Sequence, residues 1–393
     1  MATAPHPAWR EPYRSLFPLG AALAAVAVLP FAAGGAGGGS LALFHSVAQI
    51  QGFLTCFLVA FLYTFVPRRT QTAAPAPWQM AAALVLPPLS VACAFEGEQA
   101  LAQGVWLALV VVVLGFTARR VLGARGLRTL PPVFLWVPVS LVAGACGAVL
   151  IATSSELDSQ SGLAAWTISR GLLVQGLVAG LVLGVGGTLV PQLTRGEPPL
   201  ATPEPGRQRR ALAWHGLGAL AFFASFPIEV FEGVRLGSAV RALVAFAVLI
   251  RVARIHRPPT VPGLHRRLVW AAAWLVPLGF CMGALAPRLR GAALHVVFVG
   301  GFAQLSLAVS THVVLSHGGH PERLGESPWA MRVMAALLAA AFAGRILAGI
   351  DLRRVSPWLS VAALAFLGAL AAWGAVVGPT LGATPRLGPR PRA

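Results

Sequence analysis

Apolar stretches long enough to cross a hydrocarbon core of roughly 30 Å, about 20 residues each, recur twelve times along this chain. They lie near 16–33, 42–66, 78–95, 100–118, 131–152, 168–190, 211–228, 236–255, 267–287, 292–316, 329–350 and 357–378. In lipid the backbone must satisfy its own hydrogen bonds, so runs of this length read as helices. The expected fold is all-α: a polytopic membrane bundle of about twelve transmembrane helices, forming a single transmembrane domain over residues 1–393. The separation of the third and fourth runs by Glu96–Gln99 alone, and the shortness of the seventh, are the weakest points of the count.

Charge places the ends of these helices. Charged residues make up 11% of the chain, against about a quarter in a soluble domain, and the basic ones are all arginine. One alternate set of loops carries 22 arginines with five acids; the other carries eight arginines with seven acids, among them Glu96, Glu98, Glu156, Asp158, Glu229 and Glu232. This is the positive-inside pattern, and it predicts that both termini are cytoplasmic. The arginine-rich set includes Arg10, Arg14, Arg68, Arg69, the 195–210 and 251–267 clusters, and Arg386 to Arg392. Short basic clusters between apolar runs are a membrane signal, and no nucleic-acid-reading module is present. The longest loops, 191–210 and 251–266, rich in proline and arginine, read as solvated connectors. No internal repeat stands out at a six-helix period. The four cysteines, Cys56, Cys93, Cys146 and Cys281, are isolated in apolar runs and read as packing residues.

Ionisable side chains in hydrocarbon are costly and mark function. Four of the nine histidines, His295, His312, His317 and His320, fall in the stretch ALHVVFVGGFAQLSLAVSTHVVLSHGGH. On the charge argument the second and tenth helices both run inward, which puts His45 and His295 at similar depth near the outer surface. Two helices presenting imidazoles at one depth can ligate a haem iron from opposite faces, so this pair is a candidate haem site. Helical periodicity places Gln49 and Gly52 on the face of His45, and Phe302 and Ser306 on that of His295. His312 is about 25 Å deeper than His295 by helical rise. With His215 and His317 it forms a second candidate cluster, for copper or another haem. The competing reading makes interfacial histidines such as His215, His317 and His320 solvated side chains. His6, His256 and His265, in arginine-rich or terminal segments, are expected to face solvent. Arg170 and Gln175 read either as partners of a haem propionate or as an interfacial anchor.

The stretch FHSVAQIQGFLTCFLVAFLYTFVPRRT resembles the second-helix signature of the NnrS family. EPYRSLFPLGAALAAVAV, SRGLLVQGLVAGLVLGVGGTLVPQLT and LHVVFVGGFAQLSLAVSTHVVLSHGG match in the family's order. The resemblance implies a haem- and copper-associated protein of the bacterial inner membrane, involved in the response to nitric oxide or nitrosative stress. It supports Arg14, His45, Gly52, Phe53, Pro67, Thr70, Gly187, Pro191, His295, Thr311, His317 and Gly319. The family pattern has His and Glu where this chain has Val47 and Ala48, and Arg where it has His312 and His320. The resemblance therefore favours haem b on His45 and His295 and weakens the inner cluster. The topology is also similar to that of haem–copper oxidase core subunits. The chain lacks that fold's further histidines, so neither oxygen reduction nor proton pumping is expected. Two alternatives stand beside this reading: a transporter with a polar path through Gln49, Gln51, Gln304, Ser306 and Thr311, and an assembly protein without a cofactor.

Overall fold

The computed structural model describes residues 11–35, 39–123, 130–154, 159–198 and 204–383. Twelve helices are long and apolar enough to cross a membrane: α1 Tyr13–Ala32, α2 Gly39–Thr70, α3 Pro77–Phe95, α4 Gln99–Val121, α5 Pro132–Thr153, α6 Ser159–Arg195, α7 Gly206–Phe231, α8 Val234–Ala253, α9 Leu264–Leu285, α10 Pro287–His317, α11 Trp329–Ile350 and α12 Leu352–Gly382. No strand occurs among the described residues. The protein is thus a multi-pass helical bundle in contact with lipid. The seventh helix, short by its apolar run, extends through the polar segment Gly206–Arg210. Arg10, Glu156, Asp158, His6 and Arg386 to Arg392 lie outside the described residues.

A four-helix pattern occurs three times. In α1–α4, α5–α8 and α9–α12 the second member, α2, α6 or α10, is the most buried and among the longest. The third and fourth members form a hairpin closed by only one to three residues. Each inner helix carries a π-helical segment near one depth: Ala48–Leu54, Gly171–Gly176 and Val296–Ala303. Such segments widen the backbone turn and occur often at functional sites. In α2 the disturbance is satisfied locally, Thr55 Oγ1 donating to the Ile50 carbonyl and Trp106 Nε1 donating to Thr55 Oγ1.

Close approach brings charge inside at the seam of α7, α8 and α10. A Cβ on Gly237 would fall 2.5 Å from the Glu229 Cβ, so only glycine lets α8 lie this tightly on α7. One turn further along α8, Arg241 is 1% exposed. It pairs with Glu229, lies near the Ser225 and Ser238 hydroxyls, and sits over the Phe226 ring at 4.7 Å. Arg290 of α10 pairs with the same carboxylate. One acid thus serves two guanidiniums, and a buried pair that loses one partner leaves an uncompensated charge.

The arginine-rich end is more ordered than its composition suggests. Arg14 at the start of α1 donates to the carbonyls of Leu381, in the last turn of α12, and Ala383, just past it, joining the first helix to the last. The 251–266 connector, expected to be solvated, folds back. Ile255 is buried, and its carbonyl accepts from Trp270 Nε1 and Trp274 Nε1. Arg195 donates to the Ala253 carbonyl at 2.8 Å, and the Thr194 carbonyl accepts from the Thr260 and Val261 amides. The two aromatic N–H groups find their acceptor in the turn, which drew it under the bundle. The Arg195 side chain, 2.7 Å from Glu197, holds that carboxyl below its ordinary range.

Two outcomes follow for stability in detergent. Glu229→Ala strands two arginines, one of them fully buried, and should cost about 3–5 kcal/mol in denaturant unfolding. The same loss should be much smaller when Glu229→Leu is combined with Arg241→Met. Glu197 contributes stability that is fully present above the ordinary glutamate pKa and is lost as pH falls through its depressed value. The Glu197→Gln deficit, about 0.5–1 kcal/mol at pH 7 for a partly exposed pair, should vanish in acid. A deficit that persists unchanged at pH 3 would refute that assignment.

Candidate functional site

The imidazoles of α2 and α10 share the end of the bundle opposite the arginine-rich one, within electrostatic reach of each other. His45 is on the first turns of α2, just before its π segment; its Nδ1 is 3.0 Å from the Ala27 carbonyl of α1, and its ring meets the Phe31 edge at 5.1 Å. His295 ends the short α-helical turn that precedes the π segment of α10. Its Nδ1 is 2.7 Å from the Gly291 carbonyl one turn back. A carbonyl only accepts, so both rings carry their proton on Nδ1 and leave Nε2 as the lone-pair nitrogen. Backbone anchoring of the far ring nitrogen is the usual second-shell arrangement of a metal-bound histidine.

Arg345 of α11 completes this group. Its Nη2 is 3.4 Å from His295 Nδ1, and its charge acts on both imidazoles, which also interact with one another. The shorter contact to Gly291 sets the tautomer of His295. Arg345 Nε is buried with no hydrogen-bond partner, and no ion pair links this guanidinium to a described carboxylate. The group therefore carries two lone-pair nitrogens and one uncompensated cation. Phe298, not Phe302, is the aromatic neighbour of His295, with ring centroids 5.9 Å apart. Phe298 follows His295 by three residues, ordinary neighbour spacing on a helix, and Phe302, two turns from His295, packs behind Phe298.

At the arginine-rich end the grouping differs from expectation. His312 partners His265, whose Nε2 lies 3.2 Å from His312 Nδ1. His265, expected in solvent because Arg266 and Arg267 follow it, is 1% exposed. It opens α9 with its ring turned against α10, while Arg267 is exposed and Arg266 stays half-buried beside the two rings. His317 lies near His312, but Arg68 Nη1 is 2.7 Å from its Nε2, so a cation already occupies the ring's acceptor edge. His215 is elsewhere. It is buried beside Trp214 and accepts from Trp136 Nε1 at 3.2 Å, next to Arg251. His320 contacts Glu322, and His256 is exposed as expected. Among the described residues, no three His, Cys, Asp or Glu side chains are placed to hold one metal ion.

Arg345 and His265 escaped the reading of the sequence. For Arg345 a signal existed: an ionisable residue inside the apolar run 329–350. For His265 none did, since only the tertiary fold separates it from its basic neighbours.

The chain matches the sequence family described as NnrS protein over residues 7–386. It belongs to the NnrS family. No curated protein matches it. The match covers all twelve helices and therefore both groups of imidazoles.

The His265–His312 contact predicts a measurable coupling. Removing one ring leaves the other's buried nitrogen without a partner, at about 1–3 kcal/mol. His265→Phe and His312→Phe should each destabilise the protein, and the double variant should fall well short of their sum. Additive losses in a double-mutant cycle would show that the two rings do not interact.

Proposed function

We propose that this NnrS-family protein binds b-type haem through His45 and His295 and acts in the bacterial response to nitric oxide or nitrosylated metal centres. The observation that carries the proposal is the shared tautomer: two imidazoles on the inner helices α2 and α10, each tied at Nδ1 to a backbone carbonyl, with Nε2 free. Two neutral imidazoles with Nε2 unprotonated are a donor set that would hold haem iron. When bound, the haem would supply one-electron chemistry and affinity for small diatomic ligands.

The chain's own residues would do the rest. The Ala27 and Gly291 carbonyls fix ring orientation and raise the basicity of Nε2. Phe31 and Phe298 border the rings with apolar edges and keep water away. The uncompensated Arg345 guanidinium favours an anionic substituent at the same place, as a haem carboxylate would be. The arginine-rich end faces the cytoplasm of the bacterial inner membrane in this reading, which sets His45 and His295 near the periplasmic face.

Copper is less well served. The inner group offers two mutually bonded imidazoles and one ring engaged by Arg68, and no copper-dependent step is derived from it. For the transporter alternative, four of the five polar side chains of the expected path are engaged within the bundle, while Ser306 lines an apolar cavity. Gln49 donates to the Ala24 carbonyl, Gln304 to Leu268 and Thr311 to Leu307, while Gln51 bonds Gln103. These groups serve as hydrogen-bond glue within and between helices.

Purified protein should contain haem and show reduced-minus-oxidised bands that fall at least tenfold in His45→Ala and in His295→Ala. His256→Ala, an exposed control, should leave them unchanged. Haem retained in both variants would overturn the ligand assignment. Reduced protein whose spectrum ignores added nitric oxide would overturn the nitric oxide role alone.

A further inference from the structure

The other side of α2 borders a chamber that the haem proposal does not use. His45 turns toward α1, whereas Ser46, Val47, Ile50 and Gln51 face a cavity of about 580 Å³ closed by α4, the end of α5 and the start of α6. Its apolar wall includes Leu43, Ile151 and Leu173, and its polar floor is the Gln51–Gln103 amide pair, bonded at 2.6 Å. No described lining residue is acidic.

Arg170 supplies the charge. It lines the cavity partly buried, stacked over the Trp166 ring at 4.7 Å, with no hydrogen bond or ion pair to any described residue. Its electrostatic neighbour is Arg290, whose own carboxylate, Glu229, is shared with Arg241. Three guanidiniums therefore stand here against one carboxylate. A partly desolvated cation in such surroundings lacks a counter-ion.

A second apolar space lies on the far side of Ile50. Ile50 is also a wall of a second, narrow cavity of about 100 Å³, lined by Leu54, Phe57, Leu177, Val178 and further apolar side chains between α2, α6, α9 and α10. A ligand with its charged head at Arg170 would meet the apolar wall of Leu43, Ile50 and Leu173, and displacement of the Ile50 side chain would open the inner cavity to its tail. We infer that the α2–α4–α5–α6 chamber is a binding site for a small amphipathic carboxylate, its head on Arg170 and its alkyl chain directed past Ile50 into the inner cavity.

The test is calorimetric titration of the full-length protein in zwitterionic-lipid nanodiscs with butanoate, hexanoate and octanoate, and with hexanamide as the uncharged analogue. Empty nanodiscs supply the partition background. Hexanoate should bind one site at least tenfold more tightly than hexanamide, and affinity should rise roughly three- to fourfold per added methylene. Arg170→Gln should abolish the preference for charge while keeping the midpoint of thermal unfolding. Ile50→Phe should weaken octanoate and spare butanoate. The inference is overturned if hexanoate and hexanamide bind alike, if Arg170→Gln binds hexanoate as the unaltered protein does, or if no saturable heat exceeds that of empty nanodiscs. A change confined to the haem spectrum in Arg170→Gln, with carboxylate binding intact, would also overturn it and would make Arg170 a haem partner. Loss of haem in His45→Ala with hexanoate binding retained keeps the two sites separate.

Discussion

Polar side chains inside hydrocarbon have no water to fall back on, and the organisation of this protein depends on how each one finds a partner within the bundle. The inner helices α2, α6 and α10 meet this demand at the seams between the four-helix units. One seam holds His45, His295 and Arg345; a second holds Glu229 between Arg241 and Arg290; a third holds Gln51, Gln103 and Arg170 around an open chamber. In the second seam both arginines share one carboxylate and the helices pack closely. In the first and third an arginine is left without a described carboxylate, and both border groups able to receive a ligand.

The π segments tie these seams together. Each inner helix departs from α geometry at the same level, and each departure lies beside a seam: Ala48–Leu54 between His45 and the chamber, Gly171–Gly176 just after Arg170, and Val296–Ala303 just after His295. A widened turn reorients the side chains around it relative to an unbroken helix. In α10 Phe298 packs on His295 and Phe302 packs on Phe298 beside the widened turn. In the inner helices backbone distortion and polar groups thus adjoin, whereas the π turn of α8, Leu249–Ala253, lies at the arginine-rich end.

Much of this was legible in the sequence, and the exceptions have physical causes. Hydropathy located all twelve helices, and α11 coincides with its apolar run, because length and polarity alone decide whether a segment crosses a membrane. His45 and His295 could be paired because depth along a helix follows from residue count. Helix extensions such as 159–167 in α6 were missed, since polar turns continue a helix once packing supports it. The four-helix pattern was hidden because it resides in burial and backbone geometry, and residue identity does not repeat with it. His265 and Ile255 were misread for one reason: a basic loop advertises solvent, yet single residues in it turn inward to meet acceptorless tryptophans or another imidazole.

The central claim is that iron is held between two imidazoles, one from α2 and one from α10. Electron–nuclear double resonance on the oxidised protein, produced with nitrogen-15-labelled histidine, reads this directly. The account predicts a low-spin ferric signal coupled to two histidine nitrogens, reduced to one when either His45 or His295 is replaced. Iron coupled to no histidine nitrogen, or a spectrum indifferent to both replacements, would contradict it.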